Sequence, residues 1–180
     1  FDRCRKLGIL GFSTPFDETA LDFLESLEVP CYKVASFENT DIPLIRKIAA
    51  TGKPLFISTG MASREELAET INSSRQAGCR DIILLKCASV YPADPKDLNI
   101  RTILDMRDSF GCQAGISDHS LGIGAAVASI AFGSCVIEKH FTLSRAEGGV
   151  DCAFSLEPAE LSSLVCESRN AWLALGKISY

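Results

Sequence analysis

Histidine is almost missing from this sequence: 180 residues hold only His119 and His140, beside one tryptophan and two methionines. No stretch approaches the roughly 18 uninterrupted apolar residues that cross a bilayer. The opening "FDRCRKLGIL" lacks the apolar run of a signal peptide. Neither a membrane span nor a secretory route is expected, and the sequence reads as cytoplasmic. Basic residues are outnumbered, 18 Lys and Arg against 23 Asp and Glu, and lie scattered at a net charge of -5. That distribution excludes a nucleic-acid footprint, so an anionic ligand would need basic groups gathered locally. Eight cysteines are present, but no two are spaced as CxxC. Neither a zinc ribbon nor a disulfide framework is encoded, and buried free thiols in a reducing compartment are expected. Cys87 stands apart because it follows an apolar run. A phosphate loop and a GxGxxG fingerprint are both missing after the first apolar run, which removes the common nucleotide-binding folds.

Six short apolar runs rich in β-branched or aromatic residues are present: "LGILGFS" (7–13), "CYKVAS" (31–36), "PLFIST" (54–59), "DIILLKCAS" (81–89), "QAGIS" (113–117) and "CVIEKHF" (135–141). Each is near-continuously apolar, as in a parallel strand covered on both faces. Helical periods lie between them. "DETALDFLESLEV" spaces Leu21, Leu24 and Leu27 three apart; "SREELAETINSSRQAG" opens with Ser63 and Glu66 in capping-box spacing and closes at Gly78. Alternating units of roughly 20 to 27 residues build a right-handed parallel sheet, either open and doubly wound or closed as a (β/α)8 barrel. The absent nucleotide loops favour the barrel.

A TIM barrel needs eight units and typically about 250 residues. Six units fit strands three to eight, so residues 1–180 are expected to form a single partial catalytic TIM-barrel domain. Both ends read as cut: the chain starts at Phe1 without methionine and ends at "ALGKISY" behind an amphipathic helix.

Parallel α/β folds place ligands outside the carboxyl ends of their strands. Polar residues stand there every time: Ser13 and Thr14; Lys33, Ser36 and Glu38; Ser58 and Thr59; Lys86 and Ser89, with Tyr91 beyond; Ser117, Asp118 and His119; Glu138 and His140. Neighbouring barrel strands run about 4.8 Å apart, so imidazoles from two consecutive strand ends can meet one ion. Imidazole among oxygen ligands favours Mn²⁺, Fe²⁺ or Zn²⁺ with positions open to a substrate carbonyl. Lys33 lies inside an apolar strand and needs a partner from protein or ligand, either Glu38 in an ion pair or an anion cradled with Ser36, Ser58 and Ser117. The loop "LSRAEGGVD" ends at Asp151 and reads either as a solvated turn or as a rim that bonds substrate hydroxyls or amides.

"FSTPFD", "YKVASFENTDIPLI", "GKPLFISTGMAS", "CASVYP", "GISDHS", "IEKHFT" and "GGVDCAFSLEP" together resemble the sialic-acid-synthase family, most closely its pseudaminic acid synthase branch. The resemblance runs from Leu10 to Gly176. It implies an enzyme, a C–C bond-forming transferase that condenses phosphoenolpyruvate with the open-chain aldehyde of an N-acetylated amino sugar. In the closest branch that sugar is 2,4-diacetamido-2,4,6-trideoxy-L-altrose and the products are pseudaminic acid and phosphate. By the same resemblance His119 and His140 bind Mn²⁺, with Mg²⁺, Co²⁺ or Fe²⁺ as alternatives. Lys33, Ser36, Ser58 and Ser117 match the phosphoenolpyruvate set, while Glu38, Ser89, Tyr91 and Asp151 fall where the family holds its sugar. The family's catalytic glutamate and a further phosphate-binding lysine belong to upstream strands one and two. A C-terminal antifreeze-like domain completes the site across a homodimer. The 180 residues are accordingly expected to be inactive alone and to aggregate through open sheet edges. Rival readings are an N-acetylneuraminate or legionaminate synthase, a Schiff-base aldolase using Lys33, and a barrel fragment without catalysis.

Overall fold

A computed structural model describes residues 1–180. Its chain divides into two units, Phe1–Leu84 and Leu85–Tyr180. The first unit begins with α1 (Asp2–Leu7), stopped by Gly8 in the left-handed region at φ 67°. Next comes α2 (Glu18–Ser26), whose first turn is held by the Asp17 side chain accepting from Ala20 N; its Leu21 and Leu24 are buried. Strand β1 (Tyr32–Val34) leads into α3 (Ile42–Ala49), capped by the Asp41 carboxylate. Strand β2 (Leu55–Ser58) leads into α4 (Arg64–Gln76), where Ser63 and Glu66 close the expected capping box. Tyr32, Lys33 and Val34 of β1 lie opposite Leu55, Phe56 and Ile57 of β2 in a parallel register. Tyr32, Val34, Leu55 and Ile57 are buried, as are Ile45 and Ile48 of α3 and Ile71 of α4.

Strand β3 (Ile82–Cys87) carries the chain from one unit into the other. The second unit adds α5 (Thr102–Phe110), β4 (Gln113–Asp118), α6 (Gly124–Ser129), β5 (Ile137–Lys139) and α7 (Pro158–Leu175). Strands β4 and β5 pair in parallel, with Ile116, Ser117 and Asp118 opposite Ile137, Glu138 and Lys139. Ala126, Leu156 and Leu164 are buried together, with Ile123, Val127, Ile137 and Leu161 packed against them. The sheet order is β1-β2-β3-β4-β5. Five consecutive parallel strands make a half-barrel, as the partial (β/α)8 reading requires. No helix is long and apolar enough to cross a membrane.

Two expectations need correcting. "LGILGFS" is not a strand: Leu7 ends α1, and Ser13 makes only an isolated parallel bridge to Tyr32. Lys33 N donates to Ser13 O at 3.2 Å, but no strand flanks the segment on its other side, and Leu10 is 75% exposed. An apolar run lacking cover on one side has no reason to hold a ladder along its length. The cysteines are all free, yet only Cys31, Cys79 and Cys87 are buried, while Cys135 and Cys166 are exposed. Cys135 lies just before β5, where its N–H donates to Ala114 O at 2.9 Å, and Cys166 lies on an uncovered face of α7; both are exposed.

Candidate active site

In the second unit, two strand ends bring the histidines together. Side chains alternate along a strand, so Ser117 and His119 share one face of β4 while Asp118 points to the other. Opposite them in register, Glu138 and His140 share a face of β5 and Lys139 takes the reverse side. Ser117 Oγ donates to Glu138 Oε1 at 2.6 Å, tying the two strands on the site face. Two residues further on, the His119 and His140 rings stand 5.2 Å apart, centroid to centroid. His119 Nδ1 lies 3.3 Å from Ala88 O and 3.8 Å from Cys87 Sγ. A neutral ring that donates to that carbonyl keeps the lone pair of Nε2 free.

Two aromatic rings wall this pair. Tyr91 is 4.3 Å from the His119 ring and 6.3 Å from that of His140. Phe154 is 5.0 Å from His140 and 5.8 Å from Tyr91. The Asp151 carboxylate approaches from the loop after β5, with Oδ2 3.7 Å from His140 Nδ1. That loop is pinned by Arg145, whose guanidinium donates to the Ser155 carbonyl at 2.8 Å and to Glu160.

Electrostatics favours neutral rings. Burial pushes the His119 pKa below its ordinary 6.5, against the opposing pull of the Ala88 carbonyl and the Glu138 carboxylate. Burial also lowers His140, and the nearby His119 lowers it further, while Asp151 and Glu138 oppose. Neutral imidazole is the form that ligates metal. Burial, followed by Cys87, raises the Tyr91 hydroxyl, so it remains a protonated donor at neutral pH. No group of three or more His, Cys, Asp and Glu side chains is arranged to hold a metal ion. The donor set this chain offers is therefore the pair of imidazoles, with the other positions left to water or ligand oxygens.

The first unit carries polar residues at the ends of β1 and β2. Lys33, Ser36, Ser58 and Thr59 are all buried, and half-buried Glu38 follows in the turn. Ser58 Oγ is buried without any hydrogen-bond partner. Asn39 braces this turn: its side-chain amide donates to Ser58 O and Gly60 O, both at 3.0 Å, and its main-chain carbonyl accepts from Thr70 Oγ1.

Of the ten residues singled out from the sequence, Lys33, Ser36, Glu38 and Ser58 lie in the first unit, and the other six in the second. Tyr91, His119, His140 and Asp151 belong to one set of contacts, and Ser117 is bonded to Glu138 at the same two strand ends. Ser89 follows β3 and its buried Oγ has no hydrogen-bond partner. Sequence reasoning missed Asn39, Lys139 and Phe154. The charge of Lys139 inside an apolar run was a usable signal, since such a group demands a partner; Phe154 in a polar loop gave none.

The NeuB family model matches residues 1–180. A pseudaminic acid synthase of Helicobacter pylori is 40% identical over 177 residues, covering 98% of this chain and 52% of that protein. An N,N'-diacetyllegionaminic acid synthase of Campylobacter jejuni is 39% identical over 174 residues, covering 96% of this chain and 52% of its own length. The chain thus spans about half the length of these curated relatives. The crystal structure of an N-acetylneuraminic acid (sialic acid) synthetase from Leptospira borgpetersenii, in complex with citrate, superposes with a TM-score of 0.95 at 34% identity; the match covers 99% of this chain and 62% of that one. With the family model spanning every residue and the strand-end histidines in place, the chain belongs to the NeuB family.

Proposed function

We propose that these residues serve a nonulosonic acid synthase that joins phosphoenolpyruvate to the open-chain aldehyde of an N-acetylated amino sugar. The observation that carries this reading is the pair of imidazoles, 5.2 Å apart at two consecutive strand ends and walled by Tyr91 and Phe154. Family membership supports the same chemistry. The 40% and 39% identities do not separate a pseudaminic from a legionaminic product. The choice of a pseudaminic acid precursor rests on "SFENTDIPLI" and "GGVDCAFSLEP", whose apolar character suits a deoxy sugar.

His119 and His140 would hold a divalent ion, Mn²⁺ first, and that ion when bound would polarise the aldehyde oxygen. Every other role falls to side chains. Lys33 supplies the positive charge for the phosphate or carboxylate of phosphoenolpyruvate, and the hydroxyls of Ser36, Ser58 and Ser117 would add hydrogen bonds. The orphaned Ser58 Oγ supports this, because a buried hydroxyl without a partner costs stability unless a ligand satisfies it. Glu38, Ser89, Tyr91 and Asp151 would hold the sugar's hydroxyl and amide groups. Tyr91 and Phe154 shield the reacting carbonyl from bulk water, which strengthens each polar contact. C3 of the enol phosphate forms a bond to the aldehyde carbon; water adds at C2, and phosphate leaves as the 2-keto group forms. The complete enzyme is taken to act as a homodimer.

The test is Mn²⁺ calorimetry on the full-length protein and its His119→Ala and His140→Ala variants, with phosphate release from phosphoenolpyruvate followed across several amino-sugar aldehydes. Loss of binding in both variants and turnover with one aldehyde are expected. Undiminished binding in both variants, or no turnover with any acceptor, would overturn the reading.

A further inference from the structure

We infer that the buried ion pair between Asp118 and Lys139 is a positioning device that sets the spacing of His119 and His140. This rests on the reading of the histidine pair as a metal site. Asp118 and Lys139 are register partners across β4 and β5, and each immediately precedes one of the histidines. Lys139 Nζ lies 3.0 Å from Asp118 Oδ2 and donates to Ser120 O at 2.5 Å. Asp118 Oδ1 accepts from Ser120 N at 2.8 Å and from Ser120 Oγ at 2.7 Å. One ammonium group therefore grips the residues on both sides of His119 from the position beside His140.

The placement is unfavourable unless it does something. The side chains are 3% and 0% exposed, so both charges have been taken out of water. Buried pairs of this kind contribute little net stability compared with apolar residues of similar volume, and their best-attested use is to fix register. Register is what β5 needs. The strand is three residues long, and a shift against β4 would carry His140 away from His119. The Ser117–Glu138 hydrogen bond locks the site face, while the ion pair locks the opposite face of the same two strand ends. Lys139 and Asp118 are thus positioning residues rather than ligands.

The experiment uses the full-length protein with the double variant Asp118→Leu/Lys139→Met, the single variants Asp118→Asn and Lys139→Arg, and three readouts: Tm, Mn²⁺ affinity by calorimetry, and the NOE between the two imidazole rings in histidine-labelled protein. The expected result is a double variant that melts near the parent, binds Mn²⁺ at least about tenfold more weakly and loses the inter-ring NOE, with Lys139→Arg staying within about threefold of the parent. Should the double variant fail to fold, Asp118→Asn is read in the same way. A folded variant with parental affinity and NOE overturns the inference. So does unfolding of both charge-removing variants, because the pair would then carry stability and not spacing. If the parent itself binds no Mn²⁺, the metal reading fails on its own, and the NOE still decides whether the pair positions the rings.

Discussion

Replacing Gly115 by alanine probes how closely β4 and β5 approach beneath the histidines. A Cβ at this position would stand 2.3 Å from the carbonyl oxygen of Val136, 3.0 Å from its carbon and 3.1 Å from a Leu85 methyl. The oxygen cannot turn away freely, since it accepts from Ile116 N at 2.9 Å. Ordinary carbon–oxygen contacts begin near about 3.3 Å, so the backbones would have to separate by about 1 Å. Overpacking by one methyl costs about 1–3 kcal/mol, and a strained buried backbone hydrogen bond adds about 1 kcal/mol. At about 2–4 °C per kcal/mol for a chain of this size, Gly115→Ala should lower Tm by roughly 5–15 °C. Gly124→Ala is the control: nothing lies within 4 Å of its added Cβ. It opens α6, where alanine should be neutral or stabilising by up to about 1 kcal/mol. Both are read by thermal melts in far-UV circular dichroism. A Gly115→Ala melt within about 2 °C of the parent would refute the reasoning, because the close approach would then be relieved at no cost.

Three further outcomes are expected. Ser58→Ala removes a buried hydroxyl that has no partner in the chain, so Tm should hold or rise while phosphoenolpyruvate affinity falls about tenfold by titration; a large loss of Tm with unchanged affinity would assign Ser58 to the core. Both histidines have pKa values below 6.5 in the folded chain, so the unfolded chain binds more protons in that window. Stability is fully present above pH 6.5 and is lost as pH falls toward the folded values. Urea midpoints at about pH 7.5 and about pH 5.5 should differ in the parent and much less in His119→Gln/His140→Gln. Ser63→Ala breaks the capping box of α4 and should cost about 1 kcal/mol, a Tm loss of about 2–4 °C that Ser63→Thr largely avoids.

Local features of the fold were legible wherever a segment carries its own instruction. The Ser63 and Glu66 spacing announces the start of α4 because both partners of the cap lie within one turn, and the cap forms as read. The runs at β1 and β4 are near-continuously buried, because parallel strands covered on both faces have no wet face. "LGILGFS" has the same composition and fails, since a run becomes a strand only where neighbours cover it, and coverage is a property of other segments. The cysteines mislead for the same reason: Cys79 is enclosed by its surroundings while Cys166, of identical chemistry, faces outward on α7.

The site divides along the same line. "SDHS" and "EKHF" could be joined from sequence because each histidine stands at the same place after consecutive strands, and consecutive strands of a parallel sheet are neighbours. That argument needs only order and register. The Asp118–Lys139 pair needs one step more, the alternation that turns the residues beside the histidines to the reverse face and buries them against each other. Phe154 needs the path of an irregular loop, held by Arg145 to Ser155 and Glu160, which no periodicity encodes. The more a contact depends on the folded course of a distant segment, the less of it local sequence can carry. The two imidazoles, with Tyr91, are therefore readable in advance, while Phe154 and the buried Asp118–Lys139 pair emerge only from the fold.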